Sequence, residues 1–264
     1  MANLFFPQLA QRAVAQYPIR KIRLARTVRN VLPDGSMVLY SDPYGGRLIW
    51  ELTYSDLSAV ELQAIQEHFE ACIGPFHAFT FIDPTDNMLV SSSDLTASVW
   101  QRVSTMELTS GVADPQGGSS AFAVTNAGQA DQEISQTMIV PASYMYCFSL
   151  YASSAEPTNI TLIRRATSIQ STSVAIGPSW NRVISSGQLS DTDSNFTIAV
   201  SLPAGQRANL YGLQLEPQIA PSRYRPTAQV GGIYANAHWG VNELTVVAQR
   251  PNLFSTSFSI ETAI

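Results

Sequence analysis

Basic side chains crowd into one short stretch of this sequence. Arg12, Arg20, Lys21, Arg23, Arg26 and Arg29 place six bases within eighteen residues, all ahead of the first acid, Asp34. Arginine offers a planar, two-pronged set of donors that matches a carboxylate. Here the bases alternate with Ile22, Leu24 and Val28, the pattern of a strand with one charged face. The preferred partner is an acidic protein surface in an assembly, with Arg20, Arg23, Arg26 and Arg29 as interface candidates. A merely solvated face and a nucleic-acid backbone are the other readings that this stretch leaves open.

Other polar groups suggest chemistry less strongly. His68, His77 and His238 lack the spacing of a metal site. His68 falls in a predicted helix and His77 in the next strand, so the two can approach one another. Asp83, Asp86 and Asn87 form one oxygen-rich group, and Asp191, Asp193 and Asn195 another. Such ligands suit calcium, but neither group follows the EF-hand pattern, and capping of turns is the competing role. There is no nucleophile elbow, no phosphate-binding glycine loop and no dinucleotide fingerprint. A glycosidase needs two carboxylates across a cleft, and the sequence places no such pair. Catalytic residues, cofactor and metal are therefore all assigned as none, and no enzyme is expected.

The aromatic residues offer binding rather than catalysis. Trp100, Tyr144, Tyr146, Tyr151, Trp180, Tyr211 and Tyr224 lie in a strand-rich middle segment. Most are expected in the core; Trp100 and Trp180 are the candidates for a glycan platform. Tyr234 and Trp239, in the run YANAHW, are candidate interface anchors, because aromatic residues are enriched at interfaces. Cys72 and Cys147 stand far apart and read as buried free thiols.

Composition narrows the class of protein. The chain has 264 residues and 45 % hydrophobic content, enough for a real core. Only 13 % of residues are charged, about half the usual share. Lys21 is the single lysine, Ser and Thr together number 49, and the net charge is -5. That content is too apolar for disorder and lacks the basic excess of a nucleic-acid binder. No apolar run is long enough to span a membrane. The first twenty or so residues lack the charge-then-apolar order of a secretory signal.

The elements that carry these residues are mostly strands. Leu48, Trp50, Leu52 and Tyr54 share one face of an alternating run. A helix is predicted over Leu57–Ile73, with Ser58 and Glu61 as a capping box, Ser55 and Asp56 as rival caps, and Gly74-Pro75 as its stop. The run Phe76–Pro84 reads as a further strand. SSSDLTAS, after Val90, has the composition of a linker. About eight strands follow between residues 100 and 216, the spacing of a sandwich or barrel. The C-terminal residues are too few for a core of their own and are expected to complete the N-terminal sheet. The predicted fold is mainly β: a belt domain of residues 1–89 and 228–264 with one helix, interrupted by a jelly-roll sandwich at residues 90–227.

Two stretches carry a family resemblance. Trp50 to Pro84 (WELTYSDLSAVELQAIQEHFEACIGPFHAFTFIDP) resembles the N-terminal domain of distal tail and tail-tip proteins of tailed bacteriophages and gene transfer agents. Its aromatic strand, helix, glycine and F-x-F strand fall on Trp50, Phe69, Gly74, Phe79, Phe81 and Asp83, with Glu70 where a second aromatic is usual. The ending LYGLQLEPQIAPSRYRPT is similar to that of carbohydrate-binding-like jelly rolls on phage tail and fibre proteins. Gly212, Gln214, Leu215, Glu216, Ser222, Tyr224, Pro226 and Thr227 carry that match; Pro217-Gln218 and Ser222 depart from it. The resemblance implies a virion protein, assembled in the host cytoplasm, that forms a hexameric homo-oligomeric ring at the tail tip. The ring would join the tail tube to the hub and to fibre or receptor-binding proteins, and DNA would only pass through its lumen. The alternative it implies is a tail-associated protein that binds host surface polysaccharide. Arg20 to Arg29 and Tyr234 to Trp239 are its candidate contacts.

Overall fold

A computed structural model describes residues 4–264. The chain forms two compact units: one runs to Phe81 and resumes at Tyr234, and the other spans Ile82–Ile233.

The first unit is a mixed-length sheet with one helix. Its strands are β1 (Arg20–Val31), β2 (Met37–Leu57) and β3 (Phe79–Ile82), and its helix is α1 (Ala59–Ala71). We number the strands in chain order; β13 (Ile233–Trp239), β14 (Val246–Arg250) and β15 (Leu253–Ala263) belong here too. The sheet order is β1-β2-β15-β13-β3, with β14 also paired to β15. The C-terminal strand thus lies beside β2, with Trp50 opposite Ile260 and Leu52 opposite Phe258. Alternation decides which face is covered: Leu48, Trp50, Leu52 and Tyr54 are all buried. Phe6 packs in the same core, within about 6 Å of Phe81, Trp239 and Phe258.

Helix α1 is shorter than the sequence predicts because β2 runs on to Leu57. That leaves Ser58 as the cap: its Oγ accepts from the Glu61 amide, and the Glu61 carboxylate accepts from the Ser58 amide at 3.0 Å. At the other end the Ile73 amide donates to Glu70 O and the Gly74 amide to Phe69 O. This is a Schellman arrangement. The predicted strand from Phe76 shrinks to β3, and Phe76 itself is exposed.

The second unit packs two sheets face to face. The five-stranded sheet has the order β10-β7-β12-β5-β4 and the four-stranded sheet the order β6-β11-β8-β9. Their ranges are β4 (Met106–Val112), β5 (Ala121–Asn126), β6 (Gln132–Ile139), β7 (Tyr146–Ser153), β8 (Thr158–Arg165), β9 (Ile169–Ile176), β10 (Asn181–Gly187), β11 (Asn195–Leu202) and β12 (Arg207–Glu216). Tyr146, Phe148, Leu150, Ile160, Leu162, Ile198 and Leu210 fill the space between them. Strand β9 is absent from the sequence reading. It is an edge strand, mostly exposed and rich in Ser and Thr, so no apolar period announces it.

The unit boundaries fall outside those read from sequence, and hydrogen bonds explain why. The Asp83 amide donates to Gly232 O, and the Gly232 amide to Asn87 O. Met88 and Leu89 are fully buried in the sandwich core. SSSDLTAS is not a linker: Leu95 is buried in that core, Ser92 N donates to Thr227 Oγ1 at 3.1 Å, and Thr227 N donates to Ser92 Oγ at 2.9 Å.

Candidate functional site

The outer face of the five-stranded sheet carries the most developed site. In β7, Tyr146, Phe148, Leu150 and Ala152 point into the core. Strand geometry therefore turns Cys147, Ser149, Tyr151 and Ser153 to the opposite face. Register aligns three strands there: Arg182 of β10 lies opposite Tyr151, and Tyr151 lies opposite Tyr211 of β12. The three side chains form a row across the sheet, about two strand spacings or ~10 Å long.

Arg182 is held over the Tyr151 ring, 5.4 Å from its centroid, and its Nη2 donates to Ser149 Oγ at 3.0 Å. Its buried Nε has no hydrogen-bond partner. Tyr211 lies 6.0 Å from Tyr151 and meets Tyr224 edge-on at 5.3 Å. Gly212 makes this cluster fit. It sits at φ +66, and an added Cβ would come within 3.2 Å of Tyr224 and 3.3 Å of Tyr151. A glycine here lets two rings lie against the backbone.

A cavity of about 340 Å³ opens beside this row. The β5–β12 ladder ends at Leu210 opposite Phe122. Past that point Gln116, Ser120, Ser92, Ser93 and Arg223 join Tyr211 and Tyr224 around the opening. The Gln116 loop is braced by Asp114, which accepts from the amides of Ser120, Gln116 and Gly118. The Ser120 amide above all holds that carboxyl below the usual carboxylate range. Burial pushes the Tyr224 phenol up to about 12 and also raises that of Tyr211. Both therefore stay protonated near neutral pH. A recessed floor of aromatic rings with hydroxyl, amide and guanidinium donors at its rim suits a flat, polyhydroxylated ligand.

The residues after β12 build the wall of this site. Glu216 accepts from Ser222 N at 3.0 Å, Gln218 Nε2 at 3.0 Å and Gln214 Nε2 at 2.7 Å. Gln214 Oε1 in turn accepts from Arg225 N at 2.7 Å. These bonds fold residues 217–227 back over β12 and bring Tyr224 onto Gly212. The Gln214–Thr227 motif is thus structural, and its product is the third tyrosine of the cluster.

The other candidates take different places. Trp100 is buried and donates through Nε1 to Ser91 O at 3.0 Å, so its ring is closed to a glycan. Trp180 is half-buried just before β10. Trp239 is fully buried, 4.5 Å from Phe258, so it is a core residue and no surface anchor. Tyr234 is half-buried against Trp50 at 4.8 Å. Arg20 pairs with Glu51 at 3.0 Å and Arg26 with Asp42 at 3.5 Å. Arg23 and Arg29 are exposed.

His68 and His77 do not make a site together: His68 is buried, edge-on to Phe79 at 4.6 Å, and His77 sits beside Phe76. His238 Nδ1 lies 2.9 Å from Pro75 O. Cys72 and Cys147 are buried and free. Among the described residues no group of three or more His, Cys, Asp or Glu side chains is placed to hold a metal. The two acid groups are turn caps: Asp83 accepts from Thr85, Asp193 from Asn195, and Asp191 from Ser168. Reasoning from sequence names Tyr151, Tyr211 and Tyr224 among the aromatic residues of the middle segment without singling them out for binding, and it does not name Arg182. The signal available for Tyr151 is the alternation of YCFSLYAS, which sets it opposite the core.

No protein-family profile matches the sequence, and no curated protein matches it. Partial matches are found among solved structures, each over about half of this chain. The enzymatically active domain of bacteriophage CBA120 tailspike protein 4 matches with a TM-score of 0.41 and 13 % identity, over 52 % of this chain and 22 % of its own. The CBM22-1 xylan-binding domain from Paenibacillus barcinonensis Xyn10C matches with a TM-score of 0.42 and 13 % identity, over 51 % of this chain and 96 % of its own. TmCBM61, solved with β-1,4-galactotriose, matches with a TM-score of 0.36 and 17 % identity, over 49 % of this chain and 97 % of its own. The chain thus spans about a fifth of the tailspike domain and nearly all of the two smaller modules.

Proposed function

We propose that this chain is a tail-associated protein of a phage virion whose second unit binds a saccharide of the host surface. The row Arg182–Tyr151–Tyr211, with Tyr224 and the adjoining cavity, carries the reading. Aromatic rings present apolar faces to the C–H face of a sugar, while hydroxyl, amide and guanidinium groups reach its hydroxyls. The reading is of binding and not of catalysis. The virion assignment rests on the resemblance of residues 50–84 and 210–227 to tail proteins. Trp50, Phe79 and Phe81 lie in the core of the first unit, and Gly212, Gln214 and Glu216 build the wall of the site.

A second reading concerns the first unit. The β1–β2 hairpin leaves many apolar side chains exposed, as a subunit of a larger assembly does. We read that unit as the ring-forming part at the tail tip, between tube and hub. Particles carrying Tyr151→Ala and Tyr211→Ala test the saccharide reading. Assembled tails that fail to adsorb support the saccharide site. Tails that assemble and adsorb normally would overturn it.

A further inference from the structure

We propose that the saccharide held on the outer face of the five-stranded sheet is acidic, with Arg223 taking its carboxylate or phosphate oxygens. The inference rests on the saccharide reading and names the class of ligand for that site.

Of the described residues that line the cavity beside Tyr211, Arg223 is the one that carries a charge. Its backbone is held from both sides: the Ser222 amide donates to Glu216, and the Arg225 amide donates to Gln214 Oε1. Its side chain is exposed and, among the described residues, takes part in no salt bridge. The neighbouring Arg225 differs, because its guanidinium is engaged with Thr85 O. At the far end of the row, Arg182 also has no ion pair; its Nη2 donates to the neutral Ser149 hydroxyl.

Acids are in surplus in the second unit, yet neither of these arginines pairs with one. Residues 82–233 hold eleven acids and seven arginines. Arg165 takes one of those acids, Glu133, in a two-pronged pair at 2.6 and 3.1 Å. The acids around the site are engaged elsewhere. Glu216 is fully buried and accepts from Ser222 N, Ser222 Oγ, Gln218 and Gln214. Asp114 accepts from the amides of Gln116, Gly118 and Ser120. Asp94 accepts from the amide and hydroxyl of Thr96. The cavity lining therefore contains a cation and no carboxylate.

That asymmetry favours an anion over a neutral sugar. A guanidinium has five N–H donors and no acceptor. Each hydroxyl of a neutral sugar donates as well as accepts, and a carboxylate is the strongest acceptor a protein can offer it. The hydroxyls at the opening are engaged in part: Ser92 Oγ accepts from Thr227 N and lies 3.2 Å from Tyr224 Oη, and Ser93 Oγ donates to Thr227 O. A carboxylate or phosphate needs donors only, and its paired oxygens match the planar fork of arginine. Uronic acids and phosphodiester-linked glycans present this same chemistry.

The test measures binding of the full chain to alginate, hyaluronate and polygalacturonate, to the carboxyl-reduced form of each, to a glycerol-phosphate teichoic acid, and to neutral xylan and β-1,4-galactan. At least one acidic polymer should bind about tenfold or more tightly than any neutral one, and less tightly at high salt. Loss on carboxyl reduction identifies a carboxylate as the group held; binding of the teichoic acid identifies a phosphate. Arg223→Gln removes charge at an exposed position and should weaken that binding by about tenfold, whereas Arg223→Lys should keep part of it. Neutral polymers that bind as tightly as acidic ones, or acidic binding that Arg223→Gln leaves unchanged, overturn the inference and leave the saccharide reading standing. Acidic binding that folded Tyr211→Ala retains in full, or no binding to any polymer, overturns both.

Discussion

Replacing Gly212 by alanine tests the tyrosine cluster at its foundation. Two costs are expected, and a second glycine separates them. Gly205, in the turn before β12, is at φ +71 with open space where a Cβ would go. Gly205→Ala therefore carries the left-handed backbone penalty alone, about 1–2 kcal/mol. Gly212 is at φ +66, and its new Cβ would meet Tyr224 at 3.2 Å and Tyr151 at 3.3 Å. Moving two packed rings adds about 1–3 kcal/mol of overpacking. Gly212→Ala should thus cost about 2–5 kcal/mol in total. Urea unfolding measures both variants, with the transition of the second unit fitted separately from that of the first. The displaced rings should also alter the near-ultraviolet circular dichroism of Gly212→Ala and not of Gly205→Ala. A Gly212→Ala protein within about 0.5 kcal/mol of Gly205→Ala, with unchanged tyrosine dichroism, would refute the packing of Tyr151 and Tyr224 on this glycine.

Acid should unfold the first unit through His68. Burial pushes its imidazole down to about 4, from an ordinary value of 6.5. The folded value is the lower one, so the unfolded chain takes up the proton first. Stability is intact above about pH 6.5 and falls by about 3 kcal/mol as the pH drops toward 4. Melting temperatures of wild type and His68→Phe across that range check it; the variant should show a flatter profile. Ile73→Gly should stabilise the same unit by about 1 kcal/mol, because glycine relieves the positive φ at the helix end. Denaturant titration reads that gain.

Local signals in the sequence are strong where one period dominates. The alternation of Leu48 to Tyr54 and the Ser58–Glu61 box each identify their element, because one face is buried and one cap is satisfied. Edges are harder to read. Strand β9 packs few side chains, so its polar sequence resembles a loop. SSSDLTAS has the composition of a linker, yet pairing of Ser92 with Thr227 ties it to residues 135 positions away. Such bonds leave no trace in local pattern.

The site was less legible for the same reason. Tryptophan is the expected sugar platform, but Trp100 lies inside the sandwich. The rings at the site are half-buried or buried tyrosines that three separate segments bring together. Arg182, Tyr151 and Tyr211 align only through cross-strand register, and Tyr224 arrives only when Gln214 and Glu216 fold the following segment back. The ending motif was visible as sequence, but its consequence for the aromatic cluster was not.

The central claim is that the outer face of the five-stranded sheet binds a saccharide. The most direct measurement places the purified full chain on an immobilised panel of bacterial surface polysaccharides, xylan and β-1,4-galactan. Tyr151→Ala, Tyr211→Ala and Arg182→Ala are measured beside it. The account predicts binding to at least one polysaccharide, with a loss of about tenfold or more for each folded tyrosine variant. No binding to any member, or binding that folded variants retain in full, would contradict it.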